Sequence, residues 1–247
     1  MKKENLFRWT IYVIGILVLA MGLTLNTKAG LGVSAIISVP YSISLIWNLN
    51  FGNMTLIVYA LFVVIEMIFH VRKNKRAKVK EGAALQYANE KNLKLTLLMD
   101  ALQFPFSLIF TRFLNAFNDW IPDFRTAYPD SFIGSLAGSF LLLFLALILT
   151  GIGAAMTLNM RIVPNPGDGI VQAIADTIGK NVGFTKNCFD LFNICITVTI
   201  GLVFAGKIVG AGIGTVCAVI AVGRVIAVFN HFFMDTLLQK AGLRNEL

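Results

Sequence analysis

Two polar lines repeat every four residues inside apolar stretches: Ser34, Ser38 and Ser42, and later Asp168, Gln172 and Asp176. Spacing of four stacks side chains on one side of a helix. Such a line either lines a wet cavity or faces water from a helix lying at a membrane surface. Each line follows a loop rich in glycine or proline: Lys28-Ala29-Gly30-Leu31-Gly32-Val33 before the first, and Arg161 to Gly167 before the second. Backbone freed from helix by such residues leaves N–H groups that can bind a ligand, and the start of a helix favours negative charge. Thr24-Leu25-Asn26 precedes the first loop and Thr157-Leu158-Asn159 the second. Deeper in apolar runs lie Asp190 and Arg224, with Tyr59 and Arg112 at the corresponding positions of the first half. Charges inside a bilayer are costly and mark either a structural pair or a path for ligand or protons. The candidate binding set is therefore Asp168, Asp190, Arg224, Asn26, Asn159, Ser34 and Arg112; Asp190 and Arg224 could either pair with each other or handle a ligand or protons. Glu66, Asp100, His70 and His231 fall near predicted span ends and read as interfacial groups.

Other chemistries lack their residues. There is no nucleophile–base pair, phosphate-binding loop, nucleotide motif or metal-ligand spacing, so neither an enzyme nor a cofactor or metal protein is expected. Cys188, Cys195 and Cys217 lie inside predicted spans without C-x-x-C spacing and read as small packing residues. The net charge of +8 is concentrated near Met1 and between Arg72 and Lys80. Clustered cations beside apolar runs set orientation, so nucleic-acid binding is not expected.

The elements that position these residues follow from hydropathy. Of the 247 residues 57% are hydrophobic and only 14% charged, against about 25% charged in soluble domains. Runs near 7–27, 52–71, 93–115, 133–157, 184–205 and 208–234 each approach the ~20 residues that cross a bilayer. The fold class is an all-α membrane protein of six spans in one membrane domain. The basic stretch Arg72–Lys80 should be cytoplasmic, and so should the basic amino terminus. Two crossings then separate them, and Val33–Trp47, interrupted by Pro40, is too short to be a third. The acidic loop 116–132 should lie outside and the carboxyl terminus inside.

Three crossings per copy make the two halves inverted. Repeat one covers 7–118, repeat two 133–232, and each carries a short re-entrant or interfacial helix, in Val33–Trp47 and in Asp168–Gly179. The basic linker 72–92 is an insertion in the first copy, suited to anionic lipid headgroups at Arg72–Lys80. The bilayer and a small solute or ion are the expected partners, and nothing in the sequence sets an oligomeric state.

Lys28-Ala29-Gly30-Leu31-Gly32-Val33-Ser34, Asn165-Pro166-Gly167-Asp168 and Gly212-Ile213-Gly214-Thr215 resemble the signature stretches of the YczE/YyaS/YitT-like bacterial membrane proteins. The resemblance spans nearly the whole chain. It implies a six-span protein of the bacterial inner membrane and leaves the activity open. Ala35-Ile36-Ile37 stands where relatives often carry an acid, and Arg224 where a Gly-Pro kink is more usual. The expected function is a secondary transporter or channel. The alternative is an accessory, scaffold or sensor protein acting through the basic linker.

Overall fold

A computed structural model describes residues 3–78 and 83–243, with side chains for all of these except 76–78 and 83–92. The elements are α1 (Lys3–Lys28), α2 (Ala35–Ile46), α3 (Phe51–Lys78), α4 (Ala83–Trp120), α5 (Phe124–Ala127), a 3-10 turn at Phe132–Gly134, α6 (Leu136–Met160), α7 (Pro166–Ile178), α8 (Val182–Ala205) and α9 (Ile213–Lys240). Six of these, α1, α3, α4, α6, α8 and α9, are long and apolar enough to cross a membrane, and no strand occurs among the described residues. Their outer faces carry large exposed apolar side chains such as Leu61, Leu98, Phe144, Phe192, Val203 and Phe232, as contact with lipid tails requires. Most of the basic linker 72–92 lies outside the described side chains.

The helices depart from the hydropathy reading in places, α4 among them, which begins at Ala83 rather than 93. The last span starts at Ile213 rather than 208, because Gly206 (φ +66°) ends α8 and Gly210 (φ +84°) turns the chain again. Pro40 does not interrupt α2, which runs through it; the ring removes one amide donor without stopping the helix.

The centre of the molecule is the antiparallel pair α1–α6. A side chain at Gly22 would come within 2.5 Å of the Thr150 amide, and one at Gly153 would strike the backbone of Leu19. Glycine there allows the close backbone approach that drives helix association in lipid. At one end Arg8 donates from Nε to the Met160 carbonyl and from Nη2 to that of Arg161, both at 2.6 Å. These bonds satisfy acceptors that the end of α6 leaves without helical partners. Tyr12 reaches the Val163 carbonyl at 2.9 Å.

Around this pair, α4 lies on α1 and α9 on α6, while α2 lies against α8 and α3, and α7 against α3 and α8. The two short helices meet at their amino-terminal ends, where Ile36 packs on Gly167. Helices α3 and α4 pack along one another, whereas α8 and α9 scarcely touch among the described residues. The start of α1 and the turn after α9 gather at one end of the bundle, with Gly242 beside Glu4.

At the opposite end the loop before α2 is joined to the loop before α9. Gly214 N–H donates to the Leu31 carbonyl at 2.7 Å, and Val33 N–H to that of Gly210 at 3.0 Å. Two of the stretches singled out by sequence are thus each other's backbone partners.

Candidate functional site

The amino-terminal ends of α2 and α7 open on a cavity of about 70 Å³. Its polar lining is Ser34, Tyr59, Thr150, Asn165, Asp168 and Lys186; Leu19, Leu23, Ile37 and Val222 are among the apolar wall. Local sequence explains the placement. Asn165 caps α7 by accepting from Gly167 N–H at 3.0 Å, Pro166 starts the helix, and Asp168 falls in its first turn. Ser34 stands at the start of α2 but makes no side-chain cap bond. Its N–H is instead held by Asn26 Oδ1 at 3.1 Å. The Thr150 hydroxyl is buried without a hydrogen-bond partner among the described residues. Lys186 lies 3.9 Å from Asp190, one helical turn along α8.

The site can therefore offer a cation, a carboxylate, hydroxyls and helix amino termini to one small guest. A volume of about 70 Å³ has room for a few water molecules, which suits an ion or a very small solute in this conformation.

A second polar cluster lies between α3 and α4. His70 Nδ1 is 2.8 Å from Asp100 Oδ2, and Gln103 Nε2 donates to both oxygens of Glu66 at 3.0 Å. Ligand atoms of Glu66, His70 and Asp100 all lie within 4.8 Å of one another, and each carboxylate residue is only 3% exposed. If both were charged, their repulsion at that separation would cost about 3 kcal/mol or more at an effective dielectric of about 20. Helix α7 covers the cluster: a side chain at Gly169 would come within 2.6 Å of Glu66 Oε2.

The residues selected from sequence divide. Ser34 and Asp168 line the cavity, Asn26 positions Ser34, and Asp190 is buried beside Lys186. Asn159 turns elsewhere, donating to Asn230 Oδ1 at 2.8 Å. Arg112 and Arg224 are exposed on the outside of their helices. Of the two alternatives for Asp190 and Arg224, the pair does not form: Arg224 Nη1 donates to its own helix at the Ile220 carbonyl, 3.3 Å away, and Asp190 has Lys186. Cys188 and Cys195 are exposed rather than packed.

The serine line of α2 does not face water; Ser38 and Ser42 are buried, and Ser38 meets Thr197 of α8 at 2.7 Å. On α7 the line splits, with Asp168 at the cavity and Asp176 bonded to Lys73 at 3.1 Å. Lys186 and Thr150 were not selected; the i,i+4 spacing of Lys186 with Asp190 was the available signal. Glu66, His70 and Asp100 were read as interfacial, whereas both carboxylates are buried.

Since both arginines face outward, Arg112→Gln and Arg224→Gln should each change stability by no more than about 0.5 kcal/mol. Detergent thermal-shift measurements check this; a large loss for Arg224→Gln would restore a buried role for it.

Six long apolar helices around a buried polar centre define a polytopic α-helical membrane protein. The chain belongs to the family of unknown function DUF6198, whose model matches residues 6–231. It is also similar to the uncharacterized membrane protein YczE of Bacillus subtilis strain 168, 25% identical over 229 residues, which are 92% of this chain and 86% of that one. The family-level resemblance expected from the glycine-rich stretches is thereby borne out. No solved structure matches the chain.

Proposed function

We propose that the protein is a secondary transporter or channel for a small ion or small charged solute, with its site at the cavity between α2 and α7. The observation that carries this reading is convergence. The starts of both short helices, a carboxylate and a lysine reach one cavity, although they come from distant parts of the chain. In transporters built from inverted repeats, broken or short helices meet in this way near the membrane midplane.

The packing supports inversion. Pairing α1–α4 with α6–α9 in order, the contact of α2 with α8 answers that of α7 with α3, and α1 with α4 answers α6 with α9. The pair α1–α6 then lies on the axis that relates the copies. On this reading α2 and α7 are re-entrant, each entering from its own side. The buried serines of α2 support that over a helix lying in the interface. We place both termini in the cytoplasm of a bacterial inner membrane, on the strength of the basic amino terminus and the Arg72–Lys80 stretch.

The guest favoured by Lys186 and the helix amino termini is an anion or a zwitterion, whose cationic part Asp168 would receive. The role needs no covalent chemistry. Purified protein in liposomes, screened for uptake of small anions and zwitterions with and without a pH gradient, tests the reading. Specific accumulation of one class supports it, and the absence of any protein-dependent flux across the panel removes it.

A further inference from the structure

We propose that Glu66, His70 and Asp100, assisted by Gln103, form a binding site for one divalent first-row transition metal ion. The sites of resident metals in helical bundles are built from carboxylates and histidines projecting inward from facing helices. Glu66 and His70 are four residues apart on α3 and so share one side of it. Asp100 and Gln103 face them from α4.

Three observations point to a cation rather than to a self-sufficient hydrogen-bonded cluster. First, the three ligand atoms lie within 4.8 Å of one another, and bonds of about 2.0–2.2 Å to a first-row ion set its ligand atoms about 3–4 Å apart, so small side-chain movements close them on one ion. Second, two buried carboxylates close together need a proton or a cation between them. Among the described residues the cations at hand are taken: Lys73 by Asp176, and His70, when protonated, by Asp100 at 2.8 Å, which leaves no ion pair for Glu66. Third, Gln103 is 1% exposed, yet its Oε1 has no hydrogen-bond partner among the described residues. Its amide stands 3.0 Å from both Glu66 oxygens. Which amide atom faces Glu66 is fixed only by what lies there. With an ion between them, turning the amide would bring Oε1 towards the metal as a fourth donor and end its isolation.

The ligand chemistry selects the metal class. One imidazole with two carboxylates and an amide oxygen suits Zn²⁺, Mn²⁺ or Fe²⁺ over Ca²⁺, which prefers oxygen alone. Binding displaces any proton held by His70 at the coordinating nitrogen or by the carboxylates. Gly169 leaves the room for the Glu66 carboxylate, since a side chain there would meet it. The proposal stands apart from the transport reading, because occupancy is measured without any flux.

The test is direct titration of purified, chelator-stripped protein in detergent with Zn²⁺ by calorimetry and with Co²⁺ by visible absorption. One equivalent of Zn²⁺ should bind, and Co²⁺ should give ligand-field bands of a nitrogen–oxygen site. Glu66→Gln, Asp100→Asn and His70→Gln should each weaken Zn²⁺ at least about tenfold, while Asp130→Asn, in the exposed loop beyond the far end of α4, leaves it unchanged. Elution profiles check that each variant is folded. Wild-type protein that binds no equivalent of either ion overturns the site, and so does binding that survives Glu66→Gln and Asp100→Asn together.

Discussion

Asp168→Asn should reduce uptake in liposomes by roughly 30–150-fold, the equivalent of about 2–3 kcal/mol for a lost charged hydrogen bond in a buried site. The protein should still purify as a single species, because Asp168 caps nothing: Asn165 holds the start of α7. The substitution keeps shape and removes charge, while Lys186 keeps Asp190 at 3.9 Å. Lys186→Gln should produce a loss of similar size, and the double variant should be less than the sum of the two, since both act on one guest. Unchanged uptake in Asp168→Asn would move the site out of this cavity.

Gly32→Val should have the largest effect on folding. Gly32 has φ +100°, a region that side-chain-bearing residues reach at a cost of about 1–3 kcal/mol. A side chain there would also strike the backbone of Gly212 and lie 2.8 Å from Thr215 Oγ1. Overpacking of that kind adds about 1–3 kcal/mol. The sum, roughly 2–6 kcal/mol, is a large part of the stability of an ordinary domain. Thermal-shift and size-exclusion measurements should show loss of the folded species. Retention of a wild-type melting temperature would mean that the backbone bonds between the two loops do not hold the bundle together.

The number and order of the spans were legible in the chain because hydropathy acts locally, but not all of their ends: α4 begins at Ala83 and α9 at Ile213. Asp168 and Ser34 were legible because the same loop grammar stands in both halves. Azimuth was not. Depth alone put Asp190 and Arg224 within reach of one another, but α8 and α9 scarcely touch, and Arg224 faces away from the bundle. The converse error concerned Glu66, His70 and Asp100. Their positions near span ends pointed to water, yet α7 lies across α3 and buries both carboxylates. A short helix from another part of the chain decides that burial, and no local pattern announces it.

The unequal seams of the bundle have a consequence for motion. On the inverted-repeat reading, the tight α3–α4 seam and the loose α8–α9 seam are the same joint in two settings. Exchanging the settings between the halves describes the opposite-facing form without any further coordinates. In that exchange α3 and α4 must part, and Glu66 and Asp100 stand on opposite sides of the parting line. Whatever holds those two carboxylates together is then a latch, and its release belongs to the working stroke.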